Sequence, residues 1–277
     1  MFVTARKLLA SNKGFCAGAT SLGLAYLVSE GVDGKHASCT NRIYAAAASL
    51  GKGVSYSFGN NLFGQLGLGN DQKQIAPIVV DSIPQNEDVS FIDAGYDQSA
   101  FVTTSGKLFT AGCGAHCRLG LGNSGSNQSV PQAVRSLPAS KVKSVAIGGF
   151  HMLCLCENGE VYSFGRNNLA QLGHDNTEPG KAKKINDAPF GGKKVVQVSA
   201  GRMHSAVLLE TGEVYTWGNG RDGALGHGNK SKQSEPKLVE KLKGMTAIHL
   251  SVRMMLTPAL TFRHFLTQLL TQYCRFI

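Results

Sequence analysis

Charged residues are sparse in this chain, at 17%, and helical periodicity is missing from most of it. No stretch between about residues 52 and 251 keeps apolar residues at i, i+3, i+4 and i+7 over three turns, which argues against helices there. No G-x-x-x-x-G-K-(S/T) run occurs, so the chain is not expected to hydrolyse a nucleotide by itself. The uncharged, largely apolar stretch Phe15–Val28 has 14 residues, short of the roughly 20 that an ordinary spanning helix needs. Cysteines number seven, an odd count that makes no paired framework.

What fills the chain instead is a repeat. Phe58-Gly59, Ala111-Gly112, Phe164-Gly165 and Trp217-Gly218 recur every 53 residues. Leu66-Gly67, Leu119-Gly120, Leu172-Gly173 and Leu225-Gly226 keep the same step. So do Gly53, Gly106, Gly159 and Gly212, and in three copies Gly95, Gly148 and Gly201. A period near 50 residues points to a propeller or solenoid unit. Within one copy, Val161–Phe164, Val195–Ala200 and Ala206–Leu209 are short, β-branched or aromatic, and bounded by Gly, Asn or Pro. That is the pattern of strands. A small sheet of about four strands cannot bury both faces alone, and stacking such sheets about an axis gives a β-propeller. The Gly of each Phe-Gly or Trp-Gly pair is expected where a Cβ would obstruct, and the Gly of each Leu-Gly pair where φ is positive. Blades are expected to begin and end at the repeated glycines.

Three motifs carry a family resemblance: Gly-Glu-Val-Tyr-Ser-Phe-Gly at Gly159–Gly165, Gln-Leu-Gly-Leu-Gly at Gln65–Gly69, and Ala-Gly-x-x-His-Ser-Ala at Ala200–Ala206. The chain resembles the regulator of chromosome condensation repeat family over roughly residues 52–251. The resemblance implies an all-β propeller whose full form has seven blades. About four copies are present here, so the expected fold is an incomplete propeller, about four of seven blades. Residues 1–50 read as an N-terminal lead-in, 51–251 as the propeller repeats, and 252–277 as an apolar, basic tail outside the repeat.

The net charge of +10 invites a nucleic-acid reading, but its distribution opposes one. Residues 1–50 hold five basic and two acidic groups, and 252–277 hold three Arg and no acid. The repeats between hold 20 basic and 16 acidic residues, a net of +4, so direct nucleic-acid binding is not expected. One basic cluster stands out, Lys181, Lys183, Lys184, Lys193 and Lys194, a candidate interaction loop, although such a run reads first as a solvated connection. Cys154 and Cys156 stand where other copies carry Phe101 and Val207, or Thr103 and Leu209, and are expected as thiols packed in a strand. Cys113-x-x-His116-Cys117 offers three zinc ligands, yet it lies in a variable loop with no fourth ligand nearby.

Other apparent sites dissolve against the repeat. Gly218-Asn219-Gly220-Arg221-Asp222-Gly223 satisfies G-x-G-x-x-G, but a dinucleotide site needs it between a strand and a helix. His151 and His204 share a repeat position with Gln98, which suits a hydrogen-bonding role better than catalysis. Asp97 and Asp222 are set aside as acid catalysts on the same argument. No catalytic residue, cofactor or metal is assigned.

The first 29 residues hold Arg6, Lys7 and Lys13 and no acid, and on a helix Phe2, Ala5 and Leu9 share a face. This matches a mitochondrial transit peptide, with a cytoplasmic or nuclear protein as the alternative. Membrane contact through residues 15–28 or 252–277 stays open. Two functions follow. One is a non-enzymatic protein-interaction module that presents its variable loops to protein partners, in a regulatory role or in organelle assembly. The other, implied by the resemblance, is guanine-nucleotide exchange on a small GTPase, the activity of well-known family members on Ran. The family's wedge is an inserted hairpin within one blade, and no insertion interrupts the 53-residue units here.

Overall fold

A computed structural model describes residues 46–49, 54–122, 125–175, 178–252 and 259–261. The N-terminal lead-in with its targeting pattern and the apolar stretch 15–28 lie outside the described residues. Among the described residues there is no α-helix. Strands and four short 3-10 turns make up the regular structure.

The strands form successive antiparallel sheets. The first holds β1 (Ala46–Ser49), β2 (Ser55–Gly59) and β3 (Gln74–Val79). The second holds β4 (Val89–Ala94), β5 (Gln98–Thr103), β6 (Leu108–Gly112) and β7 (Gln128–Ala133). The third holds β8 (Val142–Ile147), β9 (His151–Cys156), β10 (Val161–Gly165) and the two-residue β11 (Lys183–Lys184). The fourth holds β12 (Val195–Ala200), β13 (His204–Leu209), β14 (Val214–Gly218) and β15 (Gln233–Leu238). A last pair, β16 (Ala247–Leu250) and β17 (Ala259–Thr261), follows. The first strands of successive sheets adjoin one another, β4 on β8, β8 on β12 and β12 on β16. They are the innermost strands of the blades.

Blade boundaries do not fall at the repeated glycines. Gly106, Gly159 and Gly212 sit in the hairpin turns between second and third strands, where their N–H groups bond the carbonyls of Thr103, Cys156 and Leu209 at 2.8–3.0 Å. Each 53-residue copy therefore supplies the last two strands of one blade and the first two of the next. Periodicity fixes the length of a unit but not its phase, and the phase seen here stitches adjacent blades together covalently.

The hydrophobic core lies between sheets. Ala100, Val102 and Leu108 of the second sheet pack with Val145, Met152 and Phe164 of the third. Leu153, Leu155 and Val161 of the third pack with Val198, Val207 and Trp217 of the fourth. The second strand of each complete blade is covered on both faces, so β5, β9 and β13 are buried along their whole length. This explains why their apolar residues run consecutively, at Ala100–Val102, Met152–Cys156 and Ala206–Leu209, and do not alternate. Cys154 and Cys156 are buried in β9 as free thiols, as their repeat positions suggested.

Polar bonds tie the inner strands together. Asp93 accepts the N–H of Ile147 at 2.8 Å, Ser199 Oγ accepts that of Val252 at 2.8 Å, and Gln197 bonds both the N–H and the carbonyl of Leu250. The pattern thus persists to Val252, beyond the point where the motif residues stop. The tail was expected outside the blade pattern, yet Ala259–Thr261 pairs with β16. Ala247↔Thr261, His249↔Leu260 and Leu250↔Ala259 match Val195↔Leu209, Gln197↔Leu208 and Val198↔Val207, with the register shift at the same place. Strand pairing uses backbone groups, and β16 offers an edge that any extended segment can satisfy. Residues 253–258 and 262–277 lie outside the described residues.

Candidate functional site

Hairpin geometry sends two sets of loops to one end of the blades. One set is the turns between first and second strands, at Gly95–Asp97, Gly148–Phe150 and Gly201–Met203. The other is the loops that leave the third strands after Gly59, Gly112, Gly165 and Gly218. The third-strand glycines make the crowding possible. Gly165 has φ +109°, and a Cβ there would stand 2.6 Å from the Phe150 carbonyl oxygen and 2.8 Å from His151 Cα. Gly173 has φ +70° and lies so close to the indole of Trp217, in the next blade, that a Cβ would meet Nε1 at 2.7 Å. Both expectations for these two glycine series hold.

Beneath the loops runs a buried polar belt. Trp217 Nε1 donates to the Gln171 carbonyl at 3.0 Å, and Ser205 Oγ donates to the same oxygen at 2.7 Å. His151 Nε2 is 2.8 Å from Ser205 Oγ. The single serine hydrogen is committed to Gln171, so Nε2 must be the donor and the ring is the Nε2–H tautomer. Burial pushes the His151 imidazole down to about 3, with His204 adding to the effect. Gln98 replaces it in the preceding blade and donates to the Gly148 carbonyl at 3.2 Å. A neutral, hydrogen-bonded histidine exchangeable for glutamine is a structural part.

At the surface of the same end, residues that break the repeat gather around one turn. Arg118 takes the position of Gln65, Gln171 and Ala224 in the other copies, and Phe150 that of Asp97 and Met203. Arg166 replaces Asn60, Cys113 and Asn219, and Arg202 replaces Tyr96 and Gly149. The Arg118 guanidinium lies 4.9 Å from the Phe150 ring centre and that of Arg166 5.4 Å, within cation–π range. The exposed His116 ring meets Phe150 edge-on at 5.9 Å. Arg118 also donates to the carbonyls of Ala115 at 2.9 Å and Gly149 at 3.3 Å. Arg202 packs against the Cα side of Gly149. One carboxylate offsets these three arginines: Asp97, 3.9 Å from Arg118, with both side chains buried. No carboxylate pairs with Arg166 or Arg202 among the described residues. His116 senses the surplus, its imidazole held below the usual range by burial and then by Arg166 and Arg118.

Cys113 and Cys117 are free thiols of this loop. Among the described residues no three or more His, Cys, Asp or Glu side chains are arranged to hold a metal ion. The G-x-G-x-x-G run forms the loop after β14 and the 3-10 turn Arg221–Gly223.

The five lysines divide between two blades. Lys181, Lys183 and Lys184 lie on or before the outer strand β11, and Lys193 and Lys194 lead into the inner strand β12 of the next blade, at the opposite end of the molecule from the arginines. Lys181 pairs with Glu178 at 2.6 Å, Lys184 with Glu160 at 2.9 Å and Asp187 at 2.8 Å, and Lys193 with Glu213 at 2.5 Å. Lys183 bonds the Asp175 carbonyl at 3.0 Å, while Lys194 is exposed. Lys181 and Lys183 also line an open groove of about 1140 Å³ between the second and third blades, with Arg135, Gln128 and Pro131 opposite.

Four segments, 52–102, 105–155, 158–208 and 211–252, match the model of the Regulator of chromosome condensation (RCC1) repeat. The chain belongs to this family. Its repeats are similar to those of E3 ubiquitin-protein ligase HERC2 of Mus musculus, 39% identical over 204 residues, which is 73% of this chain and 4% of the ligase. They are also similar to Ultraviolet-B receptor UVR8 of Arabidopsis thaliana, 30% identical over 217 residues, covering 77% of this chain and 48% of the receptor. The structure of human WBSCR16 superposes with a TM-score of 0.69 at 25% identity, over 78% of this chain and 55% of that one. Prp20p of Saccharomyces cerevisiae gives 0.67 at 20% identity, over 78% and 54%. The fold is therefore an RCC1-type propeller, of which this chain spans about half the length of these solved relatives.

The arginine–phenylalanine cluster is not legible in the repeat motifs because it is defined by departures from them. The signal that exposes it is a comparison of the copies position by position, the same one that places Cys154 and Cys156 in a strand.

Proposed function

We propose that this chain is a non-enzymatic protein-interaction module that presents the loops at one end of its blades to a protein partner. The observation that carries this reading is the segregation of sequence. Residues that recur bond the scaffold, while Arg118, Phe150, Arg166 and Arg202, which do not recur, gather at one surface. Loops on a rigid repeat scaffold vary at little cost to the fold, which suits them to binding. Absence of catalysis belongs to the same proposal and is supported by the neutral, engaged state of His151 and by the burial of Cys154 and Cys156. Replacement of residues 113–122 by their repeat counterparts 60–69 leaves the blade intact in this reading. Affinity capture with the full chain then loses its protein partner, and capture unchanged by the swap would count against the site.

A second reading is guanine-nucleotide exchange on a small GTPase. It is favoured by one observation, that the structurally similar Prp20p was described together with its binding to Gsp1p and histones. Exchange predicts faster release of labelled GDP from a Ran-like GTPase when this chain is added, and an unchanged rate removes it. We infer a mitochondrial location from the N-terminal charge pattern alone. Recovery of the protein with Met1 intact and outside the organelle would end that inference.

A further inference from the structure

We propose that the cluster of Arg118, Phe150, Arg166 and Arg202 is a docking site for a carboxylate-rich segment of a partner protein. This deepens the interaction-module reading and rests on it. Arg118 is the buried floor of the site: it is held by Asp97 and two backbone carbonyls and is not available to rearrange. Arg166 and Arg202 are half-buried, carry no carboxylate partner among the described residues, and flank Gly149 and Phe150. A guanidinium fork pairs with a carboxylate through two parallel N–H···O bonds, and one laid against an aromatic ring is already oriented for it. Phe150, against which the Arg118 and Arg166 guanidiniums lie, supplies apolar contact for the aliphatic part of Asp or Glu.

Charge selects the ligand class. Three arginines gather around this turn with one carboxylate, Asp97, beside Arg118, whereas the repeats as a whole carry a net of only +4. A local surplus fits a few carboxylates in a short segment; a nucleic-acid backbone needs a basic track along the surface. Arg166 and Arg202 also differ from their counterparts in the other copies, so the fold does not require them. Asn60 and Asn219 show that Arg166 is dispensable to a blade.

The test uses the full chain and calorimetric titration with a poly-glutamate peptide, against oligothymidylate of equal charge. The peptide is expected to bind more tightly than the oligonucleotide, and more weakly as salt rises. The variant R166N/R202Q is expected to weaken peptide binding at least tenfold with an unchanged melting temperature. Its failure to do so, or tighter binding of the oligonucleotide, would overturn the proposal. His116, which faces Arg118, Arg166 and Phe150 beside Cys117, serves as reporter. Its NMR titration moves to higher pH on peptide binding, and an unmoved titration contradicts occupancy of this site. If no peptide binds while a protein partner is still captured through residues 113–122, the acidic ligand is wrong and the module reading stands, so the two fail separately.

Discussion

At the scale of single residues, crowded backbone and buried polar groups decide which positions are fixed. Gly165 combines φ +109° with a Phe150 carbonyl oxygen 2.6 Å from where a Cβ would lie. Gly165→Val should cost about 1–3 kcal/mol or more, since a residue other than glycine is strained there even before the clash is counted. A thermal melt equal to wild type would remove this account. His151 supplies a pH test. Its pKa is near 3 in the folded protein against 6.5 for an ordinary imidazole, so the unfolded chain binds the proton first. The stability it contributes is fully present above pH 6.5 and is lost as pH falls from there towards 3. His151→Gln, the residue of the preceding blade, should abolish that loss, worth up to about 1.4 kcal/mol per pH unit below 6.5. Melts of both proteins from pH 7.5 to 5 check it: the gap between them should narrow or reverse on the acid side, and parallel curves would contradict it.

At the scale of elements, the blade is not an independent unit. Its hydrophobic faces are completed by its neighbours, and each copy of the repeat belongs to two blades. Trp217 shows the consequence. It is fully buried, packs between the third and fourth sheets, and donates to Gln171 of the blade before its own. Trp217→Ala should cost roughly 3–5 kcal/mol through the cavity left between sheets. Trp217→Phe, which copies Phe164 at the same repeat position, should cost clearly less. Denaturant unfolding would compare them, and similar losses for both would mean that the volume between the sheets is not what matters. The strands themselves were legible from their β-branched and aromatic content between glycines. β17 was not, because Ala259, Leu260 and Thr261 carry no repeat motif and are recruited by the edge of β16.

At the scale of the whole molecule, four matched repeats make an arc of an RCC1-type propeller. Residues 52–252 should give a β-type circular-dichroism spectrum, and a helical one would contradict the architecture. Because β17 covers the edge of β16, deletion of residues 253–277 should expose unpaired strand groups and lower solubility. Equal solubility of the shortened chain, measured by sedimentation after concentration, would show that the pairing protects nothing. The electrostatic character also belongs to this scale. Lysines adjacent in sequence divide between two blades among carboxylates, while arginines distant in sequence converge on Phe150.

The repeat and its motifs determined the fold class, the family, the glycines that turn the chain and the histidines that serve the scaffold. Each of these is a local requirement, imposed anew in every copy, and so it leaves a mark that recurs. Phase and convergence were decided only in three dimensions. A period is unchanged by where the unit is cut, so the sharing of each copy between two blades waited on strand pairing. Arg118, Phe150, Arg166 and Arg202 come from two successive copies but from three successive blades, and meet only because the blades stack with their loops at one end. Nothing in their sequence spacing requires the contact; the radial packing of sheets does.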